Sequence, residues 1–549
     1  MTAPVVEEID FDAMFEQITA QLEQEAEARI VPPLLRLWDG DWNLRGVVKR
    51  EISCSVQWLN NETGTASLEM PLDYYLSEWL VDVDGRPTSN VHLTVDKDGA
   101  RWSGLMDELQ IHKNDKGVRY VRVIFKHDYE HLKHILVWSN PFLPAEIQWP
   151  RLWVCWSQHV RWALKTTLLV NLMRLESSLW MLPDDPLDPA QWFNFDQSTW
   201  GMVVKPDITE DRSVGGIVHA RFKNMHEASR RITADAQLTW EPRRYLDGDP
   251  PPWPGANVKH GCLVWDLVDN SAFTTGTSFG GNQFDGLLRE FVNIHGDGLT
   301  ETVETVADPN VPELYTTPGA RGSDPAMPGV VWFDGEHTGI QTSMFSYRPA
   351  QDVGVVGGGH SAPGVNEAIS ATIIGIVGFL GSLIGQSQIG PAVDAVLRPL
   401  YMDTLFAWGK WKSPGRAQRL GWSHYHERIA EGSDRAYTLS WLLAMRAAMW
   451  ATREQTRCTI TVTDNAPWRI GQNGLGHCFL GTRVGFTVLG MKPGRIFVEQ
   501  ISELKLEWDR STAPLWKLQI GQREPEDPVM KALELLQDFF GMLQDLGVM

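Results

Sequence analysis

Cysteine is scarce in this 549-residue chain and never closely paired. Cys54, Cys155, Cys262, Cys458 and Cys478 are odd in number, far apart and form no C-x-x-C. That spacing excludes a zinc ribbon and a disulfide framework, and it predicts folding in a reducing cytoplasm. Cations are also in deficit: 49 Lys and Arg against 69 Asp and Glu leave a formal net charge of -20. Stable nucleic-acid binding, which needs clustered Lys and Arg on the phosphates, is excluded on that balance. A surface past which nucleic acid must slide without sticking is compatible with it. The chain has no P-loop, no dinucleotide fingerprint and no zinc-protease string. Its first residues, MTAPVVEEIDFDAMFEQ, lack the basic region and apolar block of a secretory signal. Tyrosine is sparse as well, 10 against 25 Trp, and so many Trp suit either sugar-stacking platforms or interface anchors.

Little of what is present points to catalysis. Gly276-Thr277-Ser278-Phe279-Gly280 fits G-x-S-x-G, but its flanks SAFTT and GNQFDG are turn-like, not the strand and helix that a nucleophile elbow needs. Carboxylates such as Asp184 with Asp185, or Glu301 with Glu304, could serve a glycosidase, yet nothing selects one pair. His127, His131 and His134 would share a face if KHDYEHLKHIL were a helix, without the order or fourth ligand of a metal site. His424-x-His426 suits a solvated face or a neutral interface pair. No catalytic residue, metal site or cofactor is expected, and the chain is not expected to be an enzyme.

Periodicity divides the chain. Residues 1–30 predict an acidic amphipathic helix with Ile9, Phe11, Met14, Phe15, Ile18 and Leu22 at helical spacing, ending before Pro32-Pro33. Residues 31–126 alternate between apolar and polar, with turn signals at Asp39-Gly40, Asp98-Gly99 and Lys116-Gly117, and predict a first β-rich domain. Residues 127–240 are mixed: 152–182 predicts a core or interface helix, and MHEASRRITADAQLTW a second helix-like stretch. A Pro-rich connection, YLDGDPPPWPGANVKHG, opens a loop-rich β region over 241–352. After an apolar insert at 353–400, residues 401–525 predict a long helix from HERIAEG to TRE and a second β-rich domain. Residues 526–549 predict a terminal amphipathic helix that needs a partner surface.

The insert departs most from an ordinary soluble domain. Between Glu367 and Asp394 there is no charged residue. As a helix, this run is long enough to cross the bilayer's hydrocarbon layer of about 30 Å. Ala368, Ala371, Gly375, Gly378, Ser382 and Gly385 step by three and four into one small-residue seam. Ile374, Ile376, Phe379, Leu380, Leu383 and Ile384 lie largely off it, as an outward apolar face. A tightly packed core helix, a segment that enters a membrane and a Gly-rich loop are all compatible with the pattern.

LWDGDWNLRG, TASLEMPLDYYLSEWL with RWSGLMDEL behind it, DYEHLKHILVWSNPFLPAEIQWP, and TRVGFTVLG with RIFVEQISELKLEWD carry a family resemblance. Together they resemble the minor tail proteins of long-tailed phages of actinobacteria, the tail-tip or baseplate hub family, from about Leu34 to Gly521. The resemblance implies an α+β, multi-domain chain with two antiparallel β-barrel-like hub domains, helical insertions and the apolar Gly-rich helical segment. It implies a homotrimer at the virion's tail tip, made in the host cytoplasm, whose six similar surfaces meet the distal tail protein ring. The tape measure protein and other minor tail proteins are the further partners it implies, with no stable nucleic-acid binding. With the apolar insert added, the reading extends to transient contact with the host membrane, envelope penetration and DNA ejection. The alternative is a cell-wall glycan-binding or peptidoglycan-degrading tail protein, with Trp platforms and a carboxylate pair.

Overall fold

The computed structural model describes residues 31–269 apart from 114, 116, 212 and 214, then 340–358, 408–430, 455–463, 468–488 and 496–520, with shorter pieces elsewhere. The G-x-S-x-G string, nearly all of the apolar insert, most of the predicted long helix and the terminal amphipathic helix lie outside the described residues. Of the first thirty residues, Asp12, Met14–Gln17, Thr19, Ala20 and Glu23 are helical, with Met14 and Phe15 exposed. No helix among the described residues is long and apolar enough to cross a membrane.

The first strand-rich block holds β1 (Leu34–Asp39), β2 (Leu44–Val47), β3 (Ser53–Leu59), β4 (Thr65–Pro71), β5 (Val91–Lys97), β6 (Ala100–Lys113) and β7 (Arg119–His127). Strand geometry turns successive side chains to opposite faces. Cys54, Val56 and Trp58 of β3, Ala66, Leu68 and Met70 of β4, and Val121, Val123 and Phe125 of β7 are accordingly the buried alternates. Lys97 pairs with Ala100 across a two-residue turn in which Asp98 and Gly99 both have positive φ, the mirror-image turn whose twist suits a hairpin.

The second strand-rich block does not make a sheet of its own. Its long strand Ile496–Asp509 pairs antiparallel with β3, from Glu503 opposite Leu59 to Asp509 opposite Ser53. On its other side it pairs with Leu515–Ile520, which pairs with Gln455–Thr463 and then Ile340–Arg348. One antiparallel path thus runs from Ile340–Arg348 through both blocks to β2, and its ends are open among the described residues. Two separate barrel-like domains, the expectation from the resemblance, do not appear along this path, which joins both blocks. The physical reason lies in the seam: Leu504, Leu506 and Trp508 alternate onto the same buried side as Cys54, Val56 and Trp58, so the two blocks complete one core.

Between the blocks sits a mixed unit: β8 (Leu136–Val137), β9 (Trp153–Ser157), the helix Val160–Glu176, β10 (Met202–Val204), β11 (Gly216–Ala220), β12 (Lys223–Asn224), the helix Met225–Ala236, β13 (Leu238–Arg244) and β14 (Leu263–Asp269). Two expectations are corrected here. KHDYEHLKHIL is not a helix: His127 ends β7, and Asp128–Lys133 is a short 3-10 turn. Residues 152–182 divide into β9 and one helix, because alternation at Trp153–Ser157 pairs with β11 before helical spacing begins. The Pro-rich connection joins β13 to its antiparallel neighbour β14. Asn224 caps the second helix through the Glu227 amide, and Gln237 ends it in the left-handed conformation, placing Leu238 to start β13.

The unit is docked on the first block by local chemistry. Asn61, itself at positive φ, donates to the Leu238 carbonyl at 2.7 Å and accepts from the Trp240 amide at 3.0 Å. Its side-chain amide thereby acts as one extra residue on the edge of β13.

Candidate interaction surfaces

A buried ion pair holds this junction. Asp128 follows β7 and Arg244 ends β13; they meet as a two-pronged pair, Nε to Oδ2 at 2.8 Å and Nη2 to Oδ1 at 3.1 Å. Ser103 Oγ of β6 donates to the same carboxylate at 2.5 Å. Arg244 also donates to the Gly261 carbonyl at 3.0 Å and lies 4.7 Å over the Trp42 ring, which stacks on His92 at 4.4 Å. Beside it Arg101 joins Asp96 to Asp249 and donates 2.9 Å to the Arg244 carbonyl. Burial alone would raise the Asp128 carboxyl, but the adjoining Arg244 charge and its hydrogen bonds hold it well below the usual carboxylate range. The Asp128 carboxylate is already taken up by Arg244 and Ser103, and the cluster joins residues of the first block to residues of the mixed unit, the arrangement of a lock between two structural units.

Three of the sequence-flagged histidines separate around this lock. His127 is buried, His131 contacts Arg244 at 3.2 Å, and His134 is exposed. Burial pushes His92 and His127 down from 6.5 to about 4. Between those two values the unfolded chain binds protons that the folded chain does not, so stability falls as pH drops from 6.5 to 4. The loss should reach up to about 3 kcal/mol per histidine. Asp128 contributes in the same direction at lower pH, its stabilisation being present above 3.8 and lost below it. Melting temperature measured between neutral pH and pH 4 should fall steadily, and a flat profile would contradict the buried neutral assignment.

Two exposed aromatic surfaces stand apart from the lock. The first is the loop after the helix Val160–Glu176. From Leu175 to Val204 it holds Glu176, Asp184, Asp185, Asp188 and Asp196 and no Lys, Arg or His. Trp180, Met181, Leu182, Leu187, Phe193 and Phe195 are exposed there, Leu187 by 90%. Trp180 and Phe193 have φ of 63° and 53°, a region that bulky residues rarely occupy. Local amide groups shape the loop: Asp188 accepts from the Ala190 amide and Asp196 from the Ser198 amide. Among the described residues no Lys or Arg forms an ion pair with these four aspartates. Asp184 and Asp185, a glycosidase candidate in the sequence, sit here as exposed neighbours.

The second surface is a small sheet in which Gly354–Gly358 pairs with Trp408–Lys412 and with Arg428–Ile429. Trp408, Trp411, Trp422, Tyr425 and Ile429 are exposed, Trp422 by 93%. Lys410, Lys412, Arg419 and Arg428 accompany them on the outside. His424 and His426 lie exposed or half-buried on the same loop with ring centroids 5.0 Å apart, which places them as an edge pair on a wet surface.

Of the small-residue seam, Ala371 alone is described, helical and exposed. Ala368, Gly375, Gly378, Ser382 and Gly385, and the whole outward set Ile374, Ile376, Phe379, Leu380, Leu383 and Ile384, lie outside the described residues. Sequence reasoning missed the Asp128–Arg244 lock because its members are 116 positions apart and no spacing signals them. The acidic aromatic loop is legible as composition, in the run WMLPDDPLDPAQWFNFD, of which Asp184 and Asp185 alone stand out as a carboxylate pair.

Residues 34–522 match the family model described as Siphovirus ReqiPepy6 Gp37-like protein. Minor tail protein Gp28 of Mycobacterium phage D29 is 37% identical, covering 95% of this chain and 96% of that protein. Minor tail protein Gp28 of Mycobacterium phage L5 is 36% identical, covering 98% of each. Among solved structures, the tail protein from Neisseria meningitidis MC58 aligns with a TM-score of 0.35 at 11% identity, over 91% of this chain and 99% of that one.

Proposed function

We propose, from the premise that this chain belongs to the Siphovirus ReqiPepy6 Gp37-like protein family, that it is the hub closing the distal end of the phage tail. The chain is a minor tail protein and a component of the virion tail. The observation that carries the finer reading is near full-length similarity to two minor tail proteins, joined to a fold in which the Asp128–Arg244 pair fastens the mixed unit to the first strand-rich block.

In this reading three copies assemble around the tail axis. The two halves of the long sheet, one from each strand-rich block, stand in for the two barrel-like hub units and present two similar surfaces per subunit. Three subunits then offer six to the distal tail protein ring, the match that cyclic repetition permits. The tape measure protein and other minor tail proteins are the neighbouring partners, and the acidic balance repels DNA in transit. Native mass spectrometry should return three times 61.9 kDa, and a label on the protein should mark the tail tip of intact particles. A monomer at every concentration, or a label along the shaft, would remove the hub reading.

The apolar seam belongs to the same reading. Three copies of Ala368, Ala371, Gly375, Gly378, Ser382 and Gly385 meet on the axis and plug the tip until host contact, when the bulky faces engage the envelope. Gly378→Asp should leave particles that assemble but infect at least about tenfold less well, since a buried carboxylate at such a seam costs several kcal/mol. Normal plaque counts with this substitution would exclude the plug.

A further inference from the structure

We infer that the acidic aromatic loop of one copy docks on the cationic aromatic sheet of the next copy. This rests on the homotrimer proposed above and names the contact that closes the ring. The loop exposes Trp180, Leu182, Leu187 and Phe193 among aspartates that lack a cation partner among the described residues. Exposed apolar surface of this extent on a soluble chain marks a contact site. Its charge then decides the class of occupant: a carboxylate-lined apolar loop repels anionic lipid headgroups and phosphates and attracts a cationic apolar surface.

This chain carries such a surface. From Trp408 to Ile429 it exposes four cations, Lys410, Lys412, Arg419 and Arg428, against the single Glu427, set among exposed Trp408, Trp411, Trp422 and Tyr425, while the fifth, Arg416, is buried. In a protein with a net charge of -20, that local excess is opposite in sign to the rest of the molecule. Trp408, Lys410 and Lys412 alternate onto one face of the small sheet, which Ile429 shares through Val356, whereas Arg428 and Trp411 share the opposite face through Val355; the first face, with its two lysines on a paired framework, makes the contact. Trp against Trp or Leu supplies the dry contact, and Asp against Lys or Arg fixes its orientation. The two patches differ, so the contact is head-to-tail, and each subunit uses both once. A contact of that kind closes into a ring when its rotation fits the symmetry.

The test is charge reversal on the full-length protein, read by sedimentation at several concentrations. Asp184→Lys with Asp185→Lys, and separately Lys410→Glu with Lys412→Glu, should each raise the apparent dissociation constant of the trimer by at least about tenfold, because like charges then face each other. The four-residue swap should recover to near the wild-type value. Reversal variants that both form trimers as tightly as the wild type overturn this contact and leave the hub reading standing; a wild-type monomer overturns both. Should a reversal variant fold poorly, Leu187→Cys with Trp422→Cys reads the same contact, both positions being almost fully exposed. Oxidation to covalently linked trimers supports the inference, and protein that stays unlinked while trimeric overturns it. Loss of binding to a basic partner or a cell-wall glycan, with trimers intact, likewise counts against it.

Discussion

Arg244→Met should destabilise the protein by about 3–5 kcal/mol, the cost of removing one member of a buried pair and leaving the other charge without compensation. Asp128 is fully buried, and Ser103 Oγ with the distant face of His131 cannot replace a two-pronged guanidinium. The substitution also removes the cation over Trp42 and the bond to the Gly261 carbonyl, so the loop joining β13 to β14 is left with Arg101–Asp249 and His260–Trp42 as its links to the first block. Thermal unfolding followed by Trp fluorescence should show a lowered first transition, and proteolysis should open the mixed unit before the long sheet. The double variant Asp128→Leu with Arg244→Met should recover part of the loss, since replacing both members by apolar groups removes the unpaired charge. Equal melting temperatures for the single variant and the wild type would show that the lock carries no load.

Leu506→Asp should abolish soluble folding. Leu506 is completely buried, opposite Val56 on one side and Trp516 on the other, at the centre of the only strand that joins the two blocks within the described path. A carboxylate there has no described cation to meet, and its desolvation far exceeds the few kcal/mol that a core cavity would cost. Leu506→Ala isolates the cavity contribution and should cost about 2–5 kcal/mol. Gln57→Ala provides the contrast: it removes a half-buried bond of 2.6 Å to Glu503 across the same seam and should cost about 1 kcal/mol. Soluble yield and melting temperature rank the three. If Leu506→Asp expressed and melted like Gln57→Ala, the two blocks would not share one core.

The lock and the seam differ in how far they could be read in advance. Alternation in ISCSVQWLN, TASLEMPL and ISELKLEWD marks β3, β4 and the strand Ile496–Asp509 directly, because a half-buried strand writes its inward residues at every second position. The hairpin at Asp98-Gly99 is equally local, since its turn requires two residues that accept positive φ. The strand at Trp153–Ser157 was hidden inside an apolar run that also suits a helix, and only its pairing with β11 decides between them. The 3-10 turn at Asp128–Lys133 was hidden in the same way: His127, His131 and His134 have helical spacing, but Asp128 is drawn inward by Arg244, and the turn closes early.

By itself, then, the amino-acid sequence determined the strand-rich character of both ends, the surplus of negative charge, the absence of catalytic strings and, through family likeness, a place in a phage tail. Each of those is set by residues within a few positions of one another or by composition. Only the tertiary structure decided that the two strand blocks form one sheet, that Asp128 and Arg244 fasten the mixed unit to it, and that an acidic and a basic aromatic surface both face outward. These depend on contacts between residues tens to hundreds of positions apart, whose free energy comes from burial and desolvation and leaves no periodic trace along the chain.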